Sequence, residues 1–267
     1  MTTINDVARR AQVSPVTVSR VLNHAPNVNS ATRRRVEQAI TELGYVPNVV
    51  ARSLRSRRTR SIALVVPDIT NTFWTTVARG VEDAAQAQGY TVFRGNSDEN
   101  AGKQTRYLET IAAQQADGVL VAPCDSDGAR LALLRDRSIP TVVLDRRVTG
   151  WEVDTVLGDS ISGAHALTAH LIRLGHRRIG LVAGTLDTSV SRDRLSGYRV
   201  ALEAAGIPFD PGLVRHGDFK AGSAANLARE LLIGRPDISA FFAANNSIAL
   251  GILAALRERR LRVPQEI

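Results

Sequence analysis

The chain has 267 residues, 44% of them hydrophobic but only 4% aromatic, so its cores must be built from Ala, Val, Leu and Ile. A single cysteine, Cys124, excludes an internal disulfide, and no apolar run approaches the ~18 residues that cross a bilayer. The net charge is +8, and residues 1–60 carry all of it: eleven arginines and no lysine stand there against Asp6, Glu37 and Glu42.

The remaining 23 basic and 23 acidic residues balance. A small basic module on a neutral body points to a polyanion-binding head. A solvated basic tail is the alternative, but it does not predict the helical patterning that follows. The start of the chain, MTTINDVARRAQV, has no apolar core of a secretory signal, so a cytoplasmic protein is expected.

Thr3 can cap a helix running from Ile4 to about Arg10, with Asp6 in its first turn. Ile4, Val7, Ala8 and Ala11 form one apolar face. Gln12-Val13 breaks the pattern, and Ser14-Pro15 restarts it as N-cap and first helical position. Val18, Val21 and Leu22 supply the second apolar face. A third helix is predicted from about Ala31 to Leu43, capped by Asn29 or Ser30 and ended by Gly44, with Val36, Ala39, Ile40 and Leu43 inward. Three short helices with a tight first turn describe a helix-turn-helix unit. In such a unit the second helix presents its N-terminal residues to the major groove. Here those are Pro15, Val16 and Thr17, then Ser19 and Arg20. Arg20 can fork onto a guanine or hold a phosphate, Val16 can offer only a methyl contact, and Thr17 and Ser19 suit phosphates.

Next comes YVPNVVARSLRSRRTRSIALVV, in which five arginines between Arg52 and Arg60 surround Leu54. Asn48 can cap a helix over about residues 49–56. That is shorter than the ~12–15 residues an isolated helix needs in water, so disorder is expected away from DNA.

From residue 61 on, short aliphatic runs alternate with helical patterns. Runs at 61–67, 90–94, 117–122 and 140–144 alternate with helices near 72–88, 101–115 and 127–137. A second set has runs at 154–157, 177–183, 213–216 and 238–243, with helices near 161–174, 191–205, 221–233 and 246–260. Two such sets predict two α/β lobes with parallel sheets covered on both faces. The strand ends, where such folds bind ligands, carry Asp68, Asn96, Asp145, Asp159, Asp218 and Asn245. There is no phosphate-loop motif and no nucleophile elbow. His165 and His170 are five apart and fall on different helix faces, Asp125-Ser126-Asp127 reads as a polar turn, and Cys124 as a structural thiol. No enzymatic activity, metal or cofactor is expected.

TINDVARRAQVSPVTVSRVLN, RRRVEQAITELGYVPNVVARSL, TRSIALVVPDITNTFW and, more loosely, LRVPQEI occur in order along the whole chain. Together they resemble the lactose-repressor (LacI/GalR) family of bacterial transcription regulators. The resemblance implies a helix-turn-helix head over 1–46, a hinge helix and linker over 47–60, and an effector-binding and dimerisation body over 61–267 similar to periplasmic sugar-binding proteins. It implies a homodimer on double-stranded operator DNA, with the second helix in the major groove and the hinge helix in the minor groove. Leu54 would be the wedge there. The DNA-contacting set becomes Thr3, Pro15, Val16, Thr17, Ser19, Arg20 and Asn23 from the head, with Asn48, Ala51, Arg52, Leu54 and Arg55 from the hinge. Pro15 departs from the pattern, since many members carry a polar base reader there. The effector-binding set becomes Phe73, Trp74, Asp159, Arg194, Phe219 and Asn245, which suits a sugar or related polyol, with a nucleobase as second choice. LRVPQEI resembles the lead-in to another strand, so the resemblance also implies that the C-terminal part of the body is missing. A sugar-binding α/β protein with a basic tail, or a non-functional truncated regulator, is the alternative.

Overall fold

The computed structural model describes residues 2–46 and 58–267, which divide into two compact units meeting at Thr59 and Arg60. The hinge residues Asn48, Ala51, Arg52, Leu54 and Arg55, and the helix expected around them, lie outside the described residues.

The head consists of α1 (Ile4–Ala11), α2 (Pro15–Leu22) and α3 (Ser30–Glu42). Each begins where its sequence supplies a cap. Thr3 and Asp6 form a reciprocal capping box. Ser14 Oγ accepts from the Thr17 amide at 3.2 Å, and Asn29 Oδ1 from the Thr32 amide at 2.8 Å. Gln12 ends α1 in a left-handed conformation, which turns the chain sharply into α2. Val7, Ala8, Ala11, Val18, Val21, Val36 and Ala39 bury together as the head's core.

The body is built from two parallel sheets. The first lobe holds β1 (Ser61–Val66), α4 (Thr72–Ala87), β2 (Thr91–Asn96), α5 (Ala101–Ala113), β3 (Gly118–Val121), α6 (Ala132–Asp136), β4 (Thr141–Leu144) and β5 (Asp154–Val156). Its strands lie in the order β2-β1-β3-β4-β5. Val65 and Val66 are buried on alternate faces, in two separate clusters, so helices cover the sheet on both sides. The second lobe holds α7 (Ser160–Arg173), β6 (Ile179–Ala183), α8 (Ser189–Ala204), β7 (Val214–His216), α9 (Ala221–Gly234), β8 (Ala240–Ala243) and α10 (Asn246–Glu258), with strand order β7-β6-β8. Helices α7 and α8 meet at Gly197, where an added Cβ would lie 2.2 Å from the Ile161 carbonyl oxygen. That closeness explains a glycine in mid-helix.

Two expectations are corrected. The run at 154–157 belongs to the first sheet, not the second set: β5 pairs with β4, Val142 opposite Asp154. It is an exposed edge strand, and the chain passes to the second lobe only after it, between Val156 and Ser160. The helix expected over 127–137 is split into a 3-10 turn, Gly128–Leu131, and α6. Its first turn is held instead by Gly128, whose amide donates to the Thr149 carbonyl at 3.0 Å.

Candidate functional site

In both sheets the strand order reverses at the first strand of the set, β1 in one and β6 in the other. Parallel sheets bind ligands outside the carboxyl ends of their strands at such points. A cavity of about 680 Å³ lies there, walled by both lobes.

Its first-lobe wall starts at the ends of β1 and β4. Asp68 Oδ1 accepts from the Thr70 amide at 2.8 Å and hydroxyl at 2.6 Å, and Asn71 caps α4 through the Phe73 amide at 3.0 Å. That cap presents the next two residues differently. Phe73 is half exposed in the cavity, while Trp74 is buried behind it, edge to face at a ring separation of 4.9 Å. Trp74 serves the core as much as the cavity, packing with Leu64, Val66, Ala78 and Leu144.

Arg146, just after β4, is almost wholly buried. Its guanidinium holds Glu99 through bonds of 2.8 and 2.6 Å and donates to the Pro123 carbonyl at 2.6 Å. Burial alone would lower its proton affinity, but Glu99 outweighs that and keeps it charged. Its Nε has no partner among the described residues. The same guanidinium lies over the Phe219 ring, 5.4 Å from its centre, and so joins the two lobes at the cavity wall.

Phe219 sits in a left-handed backbone conformation, φ 65°, which aromatic residues rarely adopt. The ring reaches Gly184 at the end of β6, where an added Cβ would lie 2.1 Å from the ring. Only glycine leaves that space. Arg194, half buried on α8, donates to the Ala244 carbonyl at 2.7 Å. Burial lowers its proton affinity, with Asp145 opposing. Asp159 is exposed, and its Oδ1 caps α7 by accepting from the Ser162 amide at 3.0 Å, which holds its carboxyl below the usual range. Asn245 caps α10 through the Ile248 amide at 2.7 Å and donates to the Phe219 carbonyl at 3.3 Å.

Two contacts tie the lobes beside the cavity. Lys220 Nζ donates to Asp98 at 2.7 Å, and the Asn246 amide donates to the Thr72 hydroxyl at 2.7 Å. Hydrogen bonds from Lys220 and Lys103 pull the Asp98 carboxyl down to about 2.

In the head, Pro15, Val16 and Arg20 are exposed on α2, and Arg20 has no side-chain partner among the described residues. Thr17 and Ser19 are half buried, with the Thr17 hydroxyl 2.9 Å from that of Ser14. Thr3 is occupied by its capping box, and Asn23 turns back to donate to the Ser19 carbonyl at 2.8 Å.

Residues 59–267 match the family described as periplasmic binding proteins and sugar binding domain of LacI family, and residues 3–48 match bacterial regulatory proteins, lacI family. The chain belongs to the LacI family. It is 36% identical over 268 residues to the HTH-type transcriptional repressor PurR of Aliivibrio salmonicida, a match covering 100% of this chain and 80% of that one. It is similar to a solved CelR–cellobiose complex, at 37% identity and a TM-score of 0.72, covering 100% of this chain and 81% of that one. A lac repressor dimer bound to operator and the anti-inducer ONPF matches with a TM-score of 0.86 at 28% identity, covering 100% and 80%.

All six effector residues expected of a LacI-family body line this one cavity. Of the polar strand ends, Asp68, Asp145, Asp159, Asp218 and Asn245 line it too. Asn96 does not; its Oδ1 accepts from the Ile69 amide at 3.1 Å. Sequence reasoning missed Glu99, Arg146 and Asn246 in the lining. The Glu99–Arg146 pair spans 47 positions, with no local pattern to announce it. Among the described residues there is no group of three side chains able to hold a metal, and no helix long and apolar enough to cross a membrane.

Proposed function

We propose that this LacI-family protein is a transcriptional repressor, acting as a homodimer on a two-fold operator, whose DNA affinity is set by a sugar held between its lobes. The observation that supports it best is the cavity: fixed carboxylates and an arginine beside half-exposed Phe73 and the Phe219 ring. Carboxylates accept from sugar hydroxyls, the arginine donates in a fork, and aromatic faces cover C–H surfaces. Asp159 and Arg194 make the principal polar contacts in this reading. In the head, Val16 and Arg20 read bases, and Pro15 shapes the approach of α2. Thr3 and Asn23 then contribute through backbone position, since their side chains are spent on caps.

The protein performs no chemistry in this reading. A ligand that prefers one arrangement of the lobes shifts the population of head arrangements, and by linkage operator occupancy shifts with it. The test is operator selection from random DNA, then gel shifts on the selected sequence with sugars and nucleobases added one at a time. The expected result is specific retardation that at least one sugar changes. Retardation of all DNA alike, untouched by any sugar, would sink the reading.

A further inference from the structure

The charges around the cavity are unequal. Five carboxylates line it, on Asp68, Glu99, Asp145, Asp159 and Asp218, against the guanidinium groups of Arg146 and Arg194. Arg146 is committed to the protein and Arg194 only in part. Arg146 is neutralised by Glu99 in a two-bond pair, and Arg194 spends one nitrogen on the Ala244 carbonyl, with Asp145 the carboxylate that supports its charge most. The Lys220 ammonium lies close by, but it is bound to Asp98.

The carboxylates, in contrast, are set as acceptors. Asp68, Asp159 and Asp218 each spend one oxygen on an amide of their own turn, from Thr70, Ser162 and Lys220 respectively. The backbone thereby fixes each group as an acceptor; the Asp159 carboxyl takes a further bond from the Ser162 side chain, and a carboxylate, with about four acceptor sites, has others to offer a ligand. No side-chain hydrogen bond is formed by Asp145 among the described residues, and its left-handed backbone, φ 62°, holds it at the end of β4. A rigid array of acceptors with an excess of negative charge favours a ligand rich in hydroxyl donors. It repels any ligand that brings its own anion.

We infer that the effector is an uncharged polyol and that the cavity excludes phosphorylated and carboxylated sugars. The inference rests on the sugar reading above and adds the ligand's charge class to it. An anion would find only Arg194 with nitrogens to offer, would have to displace Glu99 to reach Arg146, and in either place would sit among the remaining carboxylates. Juxtaposed like charges of this kind are expected to weaken binding by roughly 100-fold or more.

The experiment is calorimetric titration of the full chain with neutral mono- and disaccharides, then with the phosphate ester and the uronic or aldonic acid of each sugar that binds. A nucleobase series runs in parallel. The expected result is a neutral sugar that binds, with both anionic counterparts at least roughly 100-fold weaker. A phosphorylated or carboxylated sugar that binds as tightly as its neutral parent overturns the inference and leaves the sugar reading standing. Binding of nucleobases alone overturns both. The double variant Asp145→Asn, Asp218→Asn separates charge from shape. Asparagine keeps an acceptor oxygen and tolerates the left-handed backbone of Asp145. With far-ultraviolet circular dichroism unchanged, the variant is expected to narrow the gap between neutral and anionic sugars about tenfold. An unchanged gap would mean that shape, not charge, excludes the anion, and would also overturn the inference.

Discussion

In the head, Arg9, Arg10 and Arg20 stand exposed on helices whose buried sides are wholly aliphatic. In the body, acids and bases balance over the chain, yet carboxylates outnumber guanidinium groups around one cavity. One kind of charge is thus spread over a small surface, and the other is concentrated in a recess. The two placements obey different physics. Exposed charge acts at a distance and is weakened by salt, whereas charge fixed in a recess acts at hydrogen-bond range and is screened far less. The difference teaches that one chain can recognise a polyanion and a small polar molecule without the two electrostatic demands competing.

The widest separation between the two regions should appear in salt. Operator affinity is expected to fall by roughly 10³-fold between 50 and 200 mM salt, while binding of a neutral sugar changes by less than about twofold. Parallel salt titrations by gel shift and calorimetry check this, and a flat operator response would break the comparison. Next in size, Arg194→Ala should cost the body about 1.5–3 kcal/mol of ligand binding while ligand-free operator affinity stays unchanged. Loss of both functions together, read in the same two assays, would make Arg194 a structural residue. Arg20→Ala is the mirror experiment, expected to cost roughly 1–3 kcal/mol at one base position if Arg20 reads guanine. Equal weakening on every sequence would show a phosphate contact instead. Gly184→Ala should push the Phe219 ring from its seat, with an overpacking cost of about 1–3 kcal/mol in urea unfolding and weaker sugar binding. The smallest effect concerns Asp98, whose depressed proton affinity means that the tie to Lys220 is fully formed above pH 3.8 and is lost as pH falls through about 2. Carboxyl carbon NMR should show that midpoint, and Lys220→Met should move it back toward 3.8.

The head was legible almost to the residue because its signals are local. A cap and the amide it satisfies lie three positions apart, as for Ser14 with Thr17 and Asn29 with Thr32. The alternation of strands and helices in the body was equally plain, but membership of a sheet is not a local property. The run Asp154–Val156 follows the first set and precedes α7, and only its pairing with β4 decides the matter. The same limit governs the cavity. Asp159 and Asn245 could be placed because each closely follows an aliphatic run and stands in a stretch that resembles the family; that both cap the next helix came from the structure. Arg146 could not, since Glu99, Pro123 and Phe219 approach it from three distant segments. Asn96 shows the converse error, for a polar strand end can be consumed by a neighbouring turn.

The chain has two tryptophans, and the fold gives them unlike surroundings. Trp151 packs beside the core formed by Val65, Val121 and Leu131, whereas Trp74 lines the cavity behind Phe73. The protein therefore contains its own optical gauge. Light emitted by Trp74 should change colour or intensity when the cavity fills, while that from Trp151 holds steady as an internal standard. Replacing Trp151 with phenylalanine would leave a single emitter whose spectrum reports occupancy directly, with no dye attached and no DNA present.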